Sequence, residues 1–192
     1  MESQIKNPVL VLLMGVSGVG KGAILKKLIE KDDRFSPIPI YTDRLPRKDG
    51  DFSRICISPD VFSEMVNNGD FLVWHTIYRH RYAIPKAQVN KAFAQGKIPI
   101  QDYPEEIVSD VRNLVPTFTI YILPPSLAEL KQRLSRDERN NDGHRYEEGK
   151  KELKRLRQQN FKNDNIDCVI LNDDLEKATQ EGLNAIYSKI FT

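Results

Sequence analysis

The chain has 192 residues, 40% of them hydrophobic and 29% charged, which is enough for one well-buried domain and too few for two comfortable ones. Its formal net charge of +2 excludes a chain-wide polyanion-binding surface, so no nucleic-acid partner is expected and any cationic role must be local. The longest apolar run, Val9 to Met14, is far below the ~20 residues of a membrane span, and nothing before it reads as a secretory signal. A cytoplasmic protein without membrane partners is expected, with Cys56 and Cys168 as reduced thiols.

Val9 to Met14 is apolar at every position, as a parallel strand covered on both faces requires. Gly15 to Gly20 supplies turn chemistry, and Lys21 to Lys31 reads as a helix with Ile24, Leu25, Leu28 and Ile29 on one face. Ser36 to about Gln95 is less regular, being broken by prolines, with short strands predicted at Arg54–Ser58 and Phe71–His75. The alternation then resumes with a strand at Ile98–Gln101, a helix at Glu105–Leu114 and a strand at Phe118–Leu123. Ser126 with Glu129 forms a capping-box pattern that opens the next helix. Lys131 to Lys162 holds eleven Lys or Arg against six Asp or Glu and reads as a basic flap between helical arms. Cys168–Leu171 is the last predicted strand and Leu175–Ile190 the closing helix. Alternating β and α elements argue for an α/β fold with a parallel core sheet.

Gly15-Val16-Ser17-Gly18-Val19-Gly20-Lys21-Gly22 fits the phosphate-binding P-loop pattern and sits between a strand and a helix, where that loop must lie. The glycines let backbone N–H groups turn inward onto a phosphate, the helix N-terminus adds its dipole, and Lys21 reaches the β- and γ-phosphate oxygens. The hydroxyl residue that normally follows the lysine and ligates magnesium is Gly22 here, and Ala23 comes next. Mg²⁺ would then be held mainly through water and the nucleotide's phosphates, with Asp102 either in its outer shell or simply orienting a neighbouring arginine.

Over most of its length the sequence resembles the guanylate kinase family. The resemblance rests on the loop and on Thr42-Asp43-Arg44-Leu45-Pro46-Arg47, Gly69-Asp70-Phe71-Leu72-Val73-Trp74, Ile122-Leu123-Pro124-Pro125-Ser126 and Val169-Ile170-Leu171-Asn172-Asp173-Asp174. It implies a P-loop three-layer α/β sandwich in one domain, with a core at 1–35, 96–133 and 151–192. An acceptor-binding insertion would occupy 36–95 and a helical lid 134–150. It also implies ATP and Mg²⁺ as donor and cofactor, with loop residues 15–23 and Asn172 on the ATP. Arg44, Arg47, Arg54 and Tyr82 would hold the acceptor's phosphate, because guanidinium forks meet two phosphate oxygens at once. Arg133, Arg136, Arg145 and Lys150 or Lys151 are the lid cations that would close on the transferring group. The arginines of the insertion could equally be a solvated loop face, and Asn172 part of a helix-capping turn.

Where that family reads guanine, this sequence places Val73, Ile84 and Ile100, which offer no hydrogen bonds. His75 joins Trp74 in the same region, either in the pocket or simply packed. The Trp-His pair is similar to one in ribose 1,5-bisphosphate phosphokinase. Three readings therefore stand: a nucleoside-monophosphate kinase, a sugar-phosphate kinase, and a phosphate-binding interaction module that has lost catalysis.

Overall fold

The computed structural model describes residues 5–46, 53–77, 79–136 and 143–192. Two sheets organise it. The first is wholly parallel and is built from β1 (Leu10–Met14), β2 (Phe35–Pro37), β7 (Ile98–Asp102), β8 (Thr117–Leu123) and β9 (Cys168–Leu171). Its strand order is β2-β7-β1-β8-β9, so β1 is central and all five of its side chains are fully buried. Burial on both faces is what the uninterrupted apolar run of this strand demands. Helices α1 (Lys21–Lys31) and α7 (Leu175–Phe191) pack on each other, and α3 (Lys86–Ala94) packs against β7. Helix α7 starts at Asp174, whose carboxylate accepts a hydrogen bond from the Lys177 N–H at 2.8 Å.

The stretch from 36 to 95 is more regular than its prolines suggest. It holds the second sheet, with strand order β4-β3-β6-β5, formed by β3 (Ile40–Thr42), β4 (Arg54–Cys56), β5 (Phe71–Ile77) and β6 (His80–Pro85). Helix α2 (Pro59–Asn68) lies within the same stretch. It begins with Ser58 as cap and a proline in its first turn, and ends at Gly69 in the left-handed conformation. Pro37, Pro59 and Pro85 stand at element boundaries. Strand β2 belongs to the parallel sheet, so the core continues past residue 35. Side chains of Ile40 and Ile84 enter the main core and stitch the two sheets together.

Two other expected elements differ in detail. The segment from Glu105 opens as a single tight turn (Glu105–Ile107) before α4 (Val108–Arg112), so the predicted long helix is short. Helix α5 (Leu127–Ser135) starts at the Ser126 cap, whose hydroxyl accepts from the Glu129 N–H at 3.0 Å. It is followed by α6 (His144–Gln158), so most of the basic segment is helical. The far end of α6 is fixed to the core, where Arg155 donates to the buried Glu105 carboxylate at 2.6 Å. No helix among the described residues is long and apolar enough to cross a membrane.

Candidate active site

The loop between β1 and α1 is held open by its backbone. Gly15 has φ +134°, and a side chain there would run into the Ile122 carbonyl. Gly20 has φ +97°, and a side chain there would collide with the Asn172 amide. Both positions need glycine for conformation and for space. No side chain caps the N-terminus of α1, which leaves that end available to an anion. The loop is braced from outside by Asn172, whose Nδ2 donates to the Val19 carbonyl at 2.6 Å. Arg133 braces it too, donating to the carbonyls of Val19 at 3.5 Å and Asn172 at 3.3 Å. Arg133 therefore supports the loop, and Asp174 rather than Asn172 caps the following helix.

Lys21 folds back onto the loop, its Nζ donating to the carbonyls of Gly15 at 2.5 Å and Val16 at 3.2 Å. Burial lowers its pKa, Asp102 and Glu152 act to raise it, and Arg145 and Arg54 lower it further. Lys21 is thus under the electrostatic influence of charged side chains from β4, β7 and α6. Gly22 and Ala23 lie in the first turn of α1, and a side chain at Gly22 would meet nothing within 4 Å. The loop offers no hydroxyl to a metal there. Among the described residues no group of three or more His, Cys, Asp or Glu could hold an ion. These residues fit a magnesium ion that would arrive with its nucleotide and be held through phosphates and water, with Asp102 on the wall of the adjoining cavity as the carboxylate to meet its hydration shell.

A cavity of about 270 Å³ lies beside the loop, between the two sheets. The loop contributes Ser17 to its wall and α6 contributes Arg145. The second sheet contributes Ile40, Arg54, His75, Ile77 and Tyr82, and β7 with its following turn contributes Asp102, Tyr103 and Pro104. Arg145 donates to the Ser17 hydroxyl at 2.9 Å, so α6 touches the loop. Arg54 stands 3.8 Å from Asp102, and its buried Nε has no hydrogen-bond partner. His75 Nδ1 lies 3.0 Å from the Tyr103 hydroxyl, and its buried Nε2 is likewise without a partner. The imidazole also stacks on Tyr82, with ring centroids 6.1 Å apart. Burial lowers the His75 pKa to about 4 against a raising contribution from Asp110, so the ring is neutral near pH 7. Burial likewise raises the Tyr103 hydroxyl, which stays protonated. Buried polar atoms without partners usually carry an explanation, and a cavity ligand supplies one here.

The structure thus brings together Lys21, Ser17, Arg54, His75, Tyr82, Asp102 and Arg145 from the expected set. It places others elsewhere. Arg44 lies outside the cavity wall, with its Nη1 donating to the neighbouring Leu45 carbonyl at 3.2 Å. Arg136 is the exposed C-cap of α5, and Lys151 is exposed on α6. Arg47 lies outside the described residues. Val73 pairs with Ile84 across β5 and β6, and neither lines the cavity; Ile84 and Ile100 are fully buried in the core. Asp43 is occupied by Arg81, which reaches it through its backbone N–H at 2.7 Å and its side chain at 2.6 Å. Sequence reasoning missed Tyr103 and Glu152. Tyr103 follows the strand-end Asp102 directly, which was an available signal, whereas Glu152 is one of several acids in a basic helix and nothing in the sequence marks it.

Comparison with known proteins agrees with this geometry. A family model described as guanylate kinase matches residues 7–189. A guanylate kinase of Malacoplasma penetrans is 28% identical, covering 99% of this chain and 98% of its own. One of Thermosynechococcus vestitus is 32% identical, covering 93% of each. The crystal structure of a guanylate kinase from Anaplasma phagocytophilum superposes with a TM-score of 0.73 at 18% identity, over 100% of this chain and 90% of that one, and so shares the fold. With a P-loop between β1 and α1, a second sheet across the cavity and a match to nearly its whole length, the chain belongs to the guanylate kinase family.

Proposed function

We propose that the protein transfers the γ-phosphoryl group of ATP to a small phosphorylated acceptor bound in the cavity between the two sheets. The observation that carries this reading is the cavity lined jointly by Ser17 of the loop, Arg54, Asp102 and Arg145, whose charges also act on Lys21. A donor phosphate on the loop and an acceptor phosphate beside Arg54 would border the same cavity. An acceptor phosphate oxygen attacks the γ-phosphorus in line, a new P–O bond forms, the bond to the β-phosphate oxygen breaks, and ADP leaves. That oxygen is already ionised, so no strong base is needed, and catalysis is positioning plus charge neutralisation. Lys21 and Arg145 hold and neutralise the transferring group, and Arg54 orients the acceptor. Magnesium bound with ATP supplies further charge neutralisation on the β- and γ-phosphates.

The guanylate kinases among its relatives make GMP the first acceptor to test. The apolar side chains at 73, 84 and 100 lie outside the cavity wall and so supply no hydrogen bonds to a guanine base there. A sugar phosphate is the second reading, favoured by the neutral His75–Tyr103 pair on the cavity wall, which suits hydroxyl groups. ADP release from Mg-ATP, followed against GMP, other nucleoside monophosphates, sugar phosphates and a no-acceptor control, decides between them. Turnover that needs a phosphorylated acceptor is expected. Absence of turnover with every acceptor, with ATP bound, would favour a phosphate-reading interaction module instead.

A further inference from the structure

Gln101 stands on β7 beside Asp102, buried in a strand whose other residues are apolar. A buried amide is costly unless it is bonded, and this one is used in full. Its Nε2 donates to the carbonyl of Ile38 and, at 3.3 Å, to that of Ser53, while its Oε1 accepts from the Asp102 N–H at 2.7 Å. Ile38 lies between β2 and β3, where the chain passes from the parallel sheet into the second sheet. Ser53 directly precedes β4, the edge strand that carries Arg54. One side chain of the parallel sheet thus bonds both to the passage between the sheets and to the far edge of the second. These bonds close a ring behind the cavity. The Ser53 hydroxyl accepts from Arg54 Nη1 at 3.4 Å, Arg54 Nη2 stands 3.8 Å from the Asp102 carboxylate, and Asp102 returns to Gln101 through its N–H. Arg54 and Asp102 are on the cavity wall, whereas Gln101 is not. Their 3.8 Å separation exceeds the roughly 2.7–2.9 Å of a closed charge-assisted bond, and the buried Arg54 Nε has no partner. A guanidinium held short of its carboxylate keeps donors for an anion, and one that closed on it would spend them.

We propose that Gln101 is a positioning residue of the acceptor site. Its amide sets the separation of Ser53 from Asp102, which holds Arg54 short of a closed ion pair and leaves its donors for a tetrahedral dianion. The inference rests on the acceptor phosphate lying beside Arg54. It is tested by NMR titration of sulfate, a tetrahedral dianion, into protein saturated with Mg²⁺ and a non-hydrolysable ATP analogue, which keeps sulfate off the loop. Wild type, Q101M, R54M and the Q101M/R54M double variant are compared, and the affinity for the analogue is measured beside each. R54M is expected to weaken sulfate binding about tenfold, as loss of a charged hydrogen bond would do. Q101M fills a similar volume without hydrogen bonds, and should weaken it about fivefold while leaving the analogue's affinity unchanged. The double variant should bind sulfate no more weakly than R54M, because Gln101 acts through Arg54. Q101E serves if Q101M does not fold: it keeps an acceptor for the Asp102 N–H, loses the donors to both carbonyls, and should weaken sulfate likewise. Wild-type sulfate affinity in Q101M, additive losses in the double variant, or an equal loss of analogue affinity overturns the inference. A wild type that binds no sulfate, or an R54M that binds it as tightly as wild type, overturns the placement of the acceptor phosphate, and the inference with it.

Discussion

His75 illustrates how a single buried side chain sets a pH response. Burial holds its folded-state pKa at about 4, below the ordinary 6.5, so the unfolded chain takes up a proton that the folded one refuses. Its contribution to stability is therefore complete above pH 6.5 and is lost as pH falls toward 4. Discounted for the part of the ring open to solvent, about 1 kcal/mol is lost across that window. Melting temperature against pH should fall more steeply for the wild type than for H75N between these limits, and parallel curves would refute the assignment. At this scale the sequence was legible wherever chemistry demands a residue type. Lys21 and the loop glycines stand where the pattern placed them, because only glycine adopts the φ of +134° at Gly15. It was illegible where a role depends on a tertiary neighbour. His75 reads as packed or functional with equal ease until Tyr103 is seen 3.0 Å away.

Helix α6 is the element whose placement matters most to the site, and its glycine is a packing device. Gly149 costs helix stability, about 1 kcal/mol relative to alanine in the interior of an exposed helix. Its return is the close approach to Val16, where an added Cβ stands 3.1 Å away. G149L should push the helix off the loop, pulling Arg145 from Ser17 and Glu152 from Tyr121. Turnover is expected to drop at least tenfold with the parallel sheet intact, as read by steady-state kinetics beside circular dichroism. Unchanged turnover would mean that the seated position of α6 is not the working one. The segment's basic composition did not tell which face of α6 turns inward, since seven of its fifteen residues are Lys, Arg or His. The second sheet was under-read for a different reason. Strand β3 is three residues long, too short for a period-2 signal, and is held by pairing rather than by pattern, whereas β4 falls within the strand expected at Arg54–Ser58. Helix α2, by contrast, carried its signals openly in Ser58, Pro59 and Gly69.

Across the whole molecule, two cores of unequal size divide the labour. The large one runs through the parallel sheet and its helices, while a small one of Phe62, Phe71 and Ala83 lies between α2 and the second sheet. Phe62 has no exposed surface and packs on Phe71 at 4.9 Å, with the Arg81 guanidinium 4.5 Å from its ring. F62A is expected to cost ~3–5 kcal/mol, more than so small a cluster can absorb. Hydrogen exchange should quicken in α2 and β5, and acceptor-dependent turnover should fail while ATP affinity persists. Equal loss of ATP binding would show that the two cores stand or fall together. The α/β class was legible because β and α patterns alternate along the chain. The strand order β2-β7-β1-β8-β9 was not, because it depends on which strands meet after the chain has crossed over. That order carries a consequence for how the protein is made. The brace on the loop comes from Asn172, which sits 153 positions after the Val19 carbonyl it holds. The loop leaves the ribosome long before its supporting amide is synthesised. The proposed phosphate loop therefore gains its last brace only once residue 172 is made, and a chain released before it would carry every glycine of the motif without that support.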